Sequence, residues 1–250
     1  MIGVHVGCSG WTYKSWRGRY YPHTVPTNRW LEHYAADFDC VETNGTFYRL
    51  PEEHTFEDWA ARTPPRFRMA IKASRFLTHM KKLIAPEEPL DRLLSRAAAL
   101  GEKLGPILYQ LPPNLHRNDV RLQQFVAALP PTIPGATKRP LQHVIEFRHP
   151  SWYVAETYDL LAAHDLTLCL HDMRGSAIVD APVIGPILYV RFHGPTGEYF
   201  GRYSEEALLR RANRIAEIGG GRAIWAFFNN DVGGAAVRDA AVFRAALNGS

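Results

Sequence analysis

The sequence predicts an α/β fold, a (β/α)8 TIM-type barrel that takes residues 1–250 as one domain. Two observations predict it. Eight short runs rich in β-branched and aromatic residues recur along the chain, and stretches with apolar residues at helical spacing separate most of them. Alternation of this kind builds a parallel sheet covered by helices, and eight repeats in about 250 residues match the size of a barrel. The doubly wound sheet competes, but no GxGxxG follows a strand.

The strand runs are VHVGCS (4–9), CVETN (40–44), RMAIKAS (68–74), PILYQL (106–111), HVIEFR (143–148), LTLCLHD (166–172), ILYVRFHG (187–194) and AIWAFFNN (223–230). Between them, TNRWLEHYAADF opens with Thr27 or Asn28 as a candidate N-cap. PLDRLLSRAAALGEKLG has a helical apolar stripe and a glycine stop. NDVRLQQFVAAL, SWYVAETYDLLAAH and SEEALLRRANRIAEIGGG follow the same pattern, the last with Ser204 as cap and glycines as terminator. Asn230 or Asp231 is expected to cap a final helix from Gly233. The sixth helix is the weak point: 173–186, MRGSAIVDAPVIGP, reads as a long loop.

Length and composition suit a large hydrophobic core: 46% of residues are hydrophobic and 22% charged. Cys8, Cys40 and Cys169 form no disulfide framework and no CxxC pair, so they read as reduced packing residues of a cytoplasmic protein. The start MIGVHVGCSG lacks the features of a signal peptide, and no apolar stretch approaches the roughly 20 residues of a membrane span. The net charge of +4 is a weak pointer to anionic partners. Between Asp58 and Glu87 there is no acidic residue, whereas Arg62, Arg66, Arg68, Lys72, Arg75, Lys81 and Lys82 all occur.

Strand parity sorts the chemistry, because successive side chains point to opposite faces. In ILYVRFHG, Leu188, Val190 and Phe192 form an apolar stripe, so Arg191 and His193 share the other face. In a barrel that face points to the interior, and its residues near the strand's C-terminal end form the site. The same rule turns inward Cys40, Glu42 and Asn44 from the second run, Lys72 and Ser74 from the third, and Gln110 from the fourth. It adds Glu146 and Arg148 from the fifth, His171 from the sixth, and Asn229 from the eighth, where parity is ambiguous.

These segments resemble the YecE-like family, domain of unknown function seventy-two. The match covers nearly the whole chain and rests on GCSGWTYKSWRGRYYP (7–22), VETNGTFYRLP (41–51), PRFRMAIKASRFLTH (65–79), GPILYQLPP (105–113), IEFRHPSW (145–152), YVRFHG (189–194) and FFNND (227–231). Cys8 departs from the pattern, since a small residue such as Thr is expected there as often. The resemblance implies a (β/α)8 barrel and no settled activity.

Three readings of the inward set compete. Glu146 with Arg148, or Glu42 with Lys72, could form ion pairs that only fill the barrel. Glu42, Glu146, His171 and His193 could ligate zinc or manganese, as in a metal-dependent phosphodiesterase-like barrel, but no HExxH is present and the cations would repel a divalent metal. The preferred reading is a hydrolase- or lyase-type enzyme acting on a phosphate- or carboxylate-bearing small molecule, with no organic cofactor indicated and a divalent metal left open but not favoured. Glu42, Glu146, His171 and His193 then supply acid–base chemistry. Lys72, Arg148 and Arg191 hold the anion, and Asn44, Gln110, Asn229, Trp11 and Tyr48 orient the substrate. Arg191 is expected to meet the ligand's anion, with Glu146 holding its guanidinium when the site is empty. A nucleic-acid partner is the alternative. It would use the basic 62–82 stretch and the loop GWTYKSWRGRYYP, whose aromatics either stack bases or pack the loop onto the barrel.

Overall fold

The computed structural model describes residues 3–133, 139–176 and 181–249. Its strands are β1 (Val4–Cys8), β2 (Cys40–Thr43), β3 (Arg68–Lys72), β4 (Leu104–Gln110), β5 (His143–Glu146), β6 (Thr167–His171), β7 (Ile187–Phe192) and β8 (Ala223–Phe228). They are parallel and hydrogen-bond in the order β1-β8-β7-β6-β5-β4-β3-β2. Each expected run holds one strand, so the fold class is the (β/α)8 barrel. The helices are α1 (Trp30–Asp37), α2 (Gly45–Tyr48), α3 (Glu53–Ala61), α4 (Glu87–Ala97), α5 (Asp119–Ala127), α6 (Ala155–Ala163), α7 (Glu205–Gly219) and α8 (Ala235–Asn248). Between β6 and β7 the described residues contain no helix; of the loop expected there, residues 177–180 lie outside the described residues.

Helix ends follow the sequence in part. Ser204 Oγ accepts from the Ala207 amide at 3.2 Å, and Gly220, at φ 54°, ends α7. At α1 the expected Thr27 or Asn28 cap is replaced by a 3-10 turn over Thr27–Arg29, and neither helix start carries a side-chain cap. A single 3-10 turn supplies i→i+3 bonds that take over part of the capping role.

The chain divides into two compact units: Met1–Glu42 with Leu170–Val183 and Ile187–Ser250, and Thr43–Cys169 with Ile184–Pro186. In the first unit, Leu170, Val190 and Phe192 line a small cavity together with Ile215 of α7, so the apolar stripe of β7 faces its helix as parity requires. β8 resolves its own ambiguity. Trp225 stacks on His5 at 4.0 Å and Phe227 meets Tyr189 at 5.3 Å, while Phe228 meets Phe192 at 4.7 Å and Phe243 of α8 at 5.5 Å. Phe227 therefore shares the face of Tyr189 and Arg191, and Phe228 faces the helices.

β1 and β2 stand at the two ends of the strand order, and Tyr34 of α1 bridges them. The Cys8 amide donates to its hydroxyl oxygen at 2.8 Å, and the hydroxyl donates to the Cys40 carbonyl at 3.1 Å. Gly7 permits this approach: a Cβ there would lie 2.3 Å from the Cys40 carbonyl oxygen.

In the second unit, Ile107, Leu108, Tyr109 and Gln110 of β4 stand beside His143, Val144, Ile145 and Glu146 of β5. The Lys103 ammonium donates to the Thr63 carbonyl at 2.5 Å and to the Ala60 carbonyl, satisfying acceptors at the end of α3.

Candidate functional site

The first unit carries a buried polar cluster at the C-terminal ends of its strands. Glu42, at the end of β2, and Arg191, near the end of β7, are both wholly buried. Arg191 Nη2 donates to Glu42 Oε1 at 2.8 Å, and its Nε donates to both carboxylate oxygens at 3.0 and 3.2 Å. Glu42 also accepts from Ser9 Oγ at 2.8 Å and from the Tyr189 hydroxyl at 2.7 Å. A buried carboxylate needs this many donors to offset its lost hydration. Arg191 thus meets Glu42 rather than the Glu146 expected for it, and Glu42 pairs with Arg191. Parity puts a side chain on the inner face but does not say which strand's residue it reaches.

A second group surrounds Asp172, just past β6. Asp172 Oδ1 accepts from the His193 amide at 2.7 Å and lies 3.4 Å from His193 Nδ1. Asp172 Oδ2 accepts from the Tyr203 hydroxyl and faces Arg211 at 3.4 Å. The same hydroxyl accepts from the Gly194 amide at 2.8 Å. Burial alone would raise the Asp172 carboxyl, but the hydrogen bonds from His193 and Tyr203 outweigh it and hold the carboxyl below its ordinary range. His193 is wholly buried, as is His171, whose ring centroid lies 6.0 Å away and whose Nδ1 accepts from the Met173 amide at 3.3 Å.

Asp231 corrects a sequence expectation. It precedes the turn Val232–Gly234, but its side chain makes no cap hydrogen bond, and Asn230 instead donates its amide to Asp239 Oδ2 and the Gly201 carbonyl, each at 2.7 Å. The Asp231 carbonyl accepts from Trp16 Nε1 at 2.9 Å. Its carboxyl turns inward, where burial pushes it up to about 7; Tyr13 and Arg191 oppose the shift and Glu42 adds to it. Asn229, the residue proposed from β8, is buried, and its backbone N–H donates to the Phe192 carbonyl at 2.8 Å.

The loop of residues 11–21 packs onto its own unit. Trp16 and Tyr21 are fully buried, Tyr21 stacks on Trp30 at 4.4 Å, and Trp11 is buried with its carbonyl accepting from the Tyr21 hydroxyl at 2.7 Å. These rings support the fold and are not open faces for bases. Burial raises the Cys8 and Cys40 thiols well above their usual range, so neither is a ready nucleophile.

The second unit carries a separate, basic cluster. Lys72, at the end of β3, is buried with its ammonium 4.4 Å from the Phe47 ring centroid. Thr46 fixes this corner, its hydroxyl meeting the Lys72 carbonyl at 2.7 Å and the Thr43 carbonyl at 2.6 Å. Glu146 and Arg148 are buried and paired through Arg148 Nε, and Cys169 Sγ lies 3.7 Å from Glu146 Oε2. The His79 ring packs on Phe47 at 4.8 Å. Burial first, then the charges of Lys72, Arg75 and Arg148, bring its imidazole down to about 4, with Glu146 opposing. Gln110 is half-buried beside Glu146, Asn44 sits at the start of α2, and Tyr48 is 73% exposed, away from the buried set.

Sequence reasoning missed Ser9, Tyr189, Asp172, Tyr203 and His79. Tyr189 shares the parity of Arg191 and His193, and Asp172 directly follows His171, so both had a local signal. Tyr203 had none, because it reaches Asp172 from a loop 31 residues on. Among the described residues, no group of three His, Cys, Asp or Glu is arranged to hold a metal ion, and no helix is long and apolar enough to cross a membrane.

Comparison with known proteins places the chain. It is 26% identical to the protein YecE of Escherichia coli over 151 residues, 60% of this chain, and spans half the length of that relative. It is 25% identical to YunF of Bacillus subtilis over 92% of this chain and 90% of that protein. Among solved structures, a DUF72 family protein of Thermotoga maritima superposes with a TM-score of 0.82 at 27% identity, covering 98% of this chain and 99% of the other. D-psicose 3-epimerase of Clostridium cellulolyticum shares the fold alone, with a TM-score of 0.57 at 12% identity over 100% of this chain and 98% of the other. The family described as protein of unknown function DUF72 matches residues 5–250, and the chain belongs to that family.

Proposed function

We propose that this protein is an enzyme of hydrolase or lyase type, acting on a small substrate that bears a phosphate or carboxylate. The observation that carries the reading is the basic cluster at the ends of β3 and β5. There Lys72, Arg148 and Glu146 are buried, and after burial itself the charges of Lys72, Arg75 and Arg148 help to hold the His79 imidazole far below its ordinary range. Lysine and arginine side chains gathered at strand ends suit an anionic ligand, which they bind through charge-assisted hydrogen bonds. Lys72 and Arg148 bind the substrate's anion, and Glu146 orients Arg148. Within the first unit taken by itself, Asp172 orients His193 much as a carboxylate orients a catalytic imidazole, a pairing suited to acid–base chemistry. Glu42 and Arg191 hold each other, and Glu42 serves as an anchor. The position of these groups at strand C-terminal ends supports the reading, since barrels of this class build their sites there.

Thermal unfolding in a panel of anions tests it. A ligand at ten times its dissociation constant stabilises the fold by about 1.4 kcal/mol. For a chain of this size that is a rise in Tm of roughly 3–5 °C. Phosphate, sulfate, a sugar phosphate or a dicarboxylate should give such a rise in the parent protein and none in Lys72→Met. A panel without any rise, or a rise that Lys72→Met retains, contradicts the reading.

A further inference from the structure

We propose that the anion held by Lys72 and Arg148 is a phosphate that carries a nucleobase, with the base laid on an exposed aromatic ledge of the same unit. The ligand is then a nucleotide, either free or as the 5′ end of a single strand. The inference rests on the anion-binding reading above and names the class of substrate.

Two short segments of the second unit build the ledge. In α2, after β2, adjacent rings take different directions. Phe47 meets Lys72, whose ammonium lies 4.4 Å from its ring centroid, while Tyr48 stands out in solvent with its ring 5.1 Å from Phe47. After β3, Phe76–Met80 form a single π-helical turn, closed by the Lys81 amide donating to the Phe76 carbonyl at 2.8 Å. Such turns frequently occur at functional sites. Leu77 and Thr78 are buried and anchor the turn, which leaves Phe76 and Met80 41% and 65% exposed. His79 of the same turn packs edge-on against Phe47 at 4.8 Å and joins the two segments into one surface.

The chain beyond the turn is strained. Lys82, Leu83 and Ala85 adopt φ of 50°, 68° and 43°, a region that residues with a Cβ seldom enter. Strain of this kind gathers at ligand-contacting segments. Burial of Leu83, with its amide donating to the Leu77 carbonyl at 3.0 Å, holds the loop in place and leaves Ile84 exposed.

Chemistry and depth select the ligand. Exposed apolar side chains edged by charge mark binding surfaces. Here the charge is all positive: Arg75 is exposed beside Phe76, the Lys81 ammonium lies 5.6 Å from the Phe76 ring centroid, and no carboxylate occurs between Asp58 and Glu87. Aromatic rings among cations stack bases while the cations hold phosphates. Lys72 and Arg148 are buried whereas Tyr48 and Phe76 are open, so the seat for the anion lies deeper than the rings. A molecule with a phosphate at one end and a flat ring at the other fits that step. A plane of lipid headgroups does not.

Isothermal titration calorimetry of the whole chain with ribose 5-phosphate, adenosine 5′-monophosphate and a short 5′-phosphorylated single strand tests the proposal. Stacking one base on an aromatic side chain is worth about 5- to 150-fold in affinity. Adenosine 5′-monophosphate should therefore bind about tenfold tighter than ribose 5-phosphate or better. Tyr48→Ala with Phe76→Ala should bring that ratio close to one, and Lys72→Met should weaken both ligands. Tyr48→Ala alone should lower the ratio, which keeps the test decisive if the double variant does not fold. A strand that binds tighter than the mononucleotide identifies a strand end as the ligand, and one that binds no tighter identifies the free nucleotide. Equal affinity for the nucleotide and the sugar phosphate, or a ratio that survives the double variant, overturns the proposal and leaves the anion-binding reading standing. Absence of binding by every phosphate overturns both. Phosphatidylserine vesicles that capture the protein when the nucleotide gives no heat assign the ledge to a membrane surface and overturn the proposal.

Discussion

Glu42 and Arg191, 149 residues apart in sequence, meet through three N–H···O contacts of 2.8 to 3.2 Å with neither side chain exposed. Such a pair yields little net stability over apolar residues of the same size, yet breaking it strands a buried charge. Arg191→Met or Glu42→Leu alone should therefore cost about 3–5 kcal/mol. The double variant should lose clearly less than the sum, as contacting pairs do. Denaturant unfolding of the four proteins measures this. Losses that simply add would show that the two side chains do not depend on each other.

The Tyr34 bridge between β1 and β2 makes a second expectation. Tyr34→Phe keeps the ring but leaves the Cys8 amide and the Cys40 carbonyl without their shared hydroxyl. The cost should be about 1–3 kcal/mol, the range for stranding a buried donor. Gly7→Ala should fail to give folded protein, since the new methyl meets backbone 2.3 Å away and backbone cannot swing aside. A Tyr34→Phe protein as stable as the parent would contradict the bridging role.

Asp231 links stability to pH. Its carboxyl is raised from 3.8 to about 7 on folding, so the folded chain binds the proton more tightly. The stabilisation is full below the unfolded value and is lost as pH rises through the folded one. At 1.36 kcal/mol per pH unit, and allowing for partial solvent contact, the loss between pH 4 and 8 is about 2–4 kcal/mol. Asp231→Asn should match the parent near pH 4 and exceed it near pH 8. Parallel pH profiles for the two proteins would remove the argument.

The fold was legible because its signals are local. Alternation placed all eight strands, and the gap after β6 was visible as a run without helical periodicity. Parity assigns Glu42, Lys72, Glu146, Arg148, His171, Arg191 and His193 to the inner face, and all seven are buried. It could not assign partners. Glu42 meeting Arg191 depends on how β2 and β7 lie across a core, and Tyr203 reaching Asp172 depends on a loop path. Asp231 was misread for a related reason: an acidic residue before Val-Gly-Gly has the local pattern of a cap, and only the packing of Trp16 and Tyr13 turns its carboxyl inward. The short helices α2 and α3 escaped notice because VETNGTFYRLP reads as loop and the stretch after it shows little periodicity.

The central claim is that the Lys72 and Arg148 cluster binds an anion, and the midpoint of His79 measured by proton NMR tests it most directly. In buffer free of multivalent anions it should lie near 4, held there by burial and by the charges of Lys72, Arg75 and Arg148. Saturating phosphate or a phosphorylated substrate should neutralise those charges and move the midpoint up toward the ordinary 6.5. Lys72→Met should raise it without any anion and blunt the response to phosphate. A midpoint near 4 that no anion moves, in a protein where Lys72→Met makes no difference, would contradict the account.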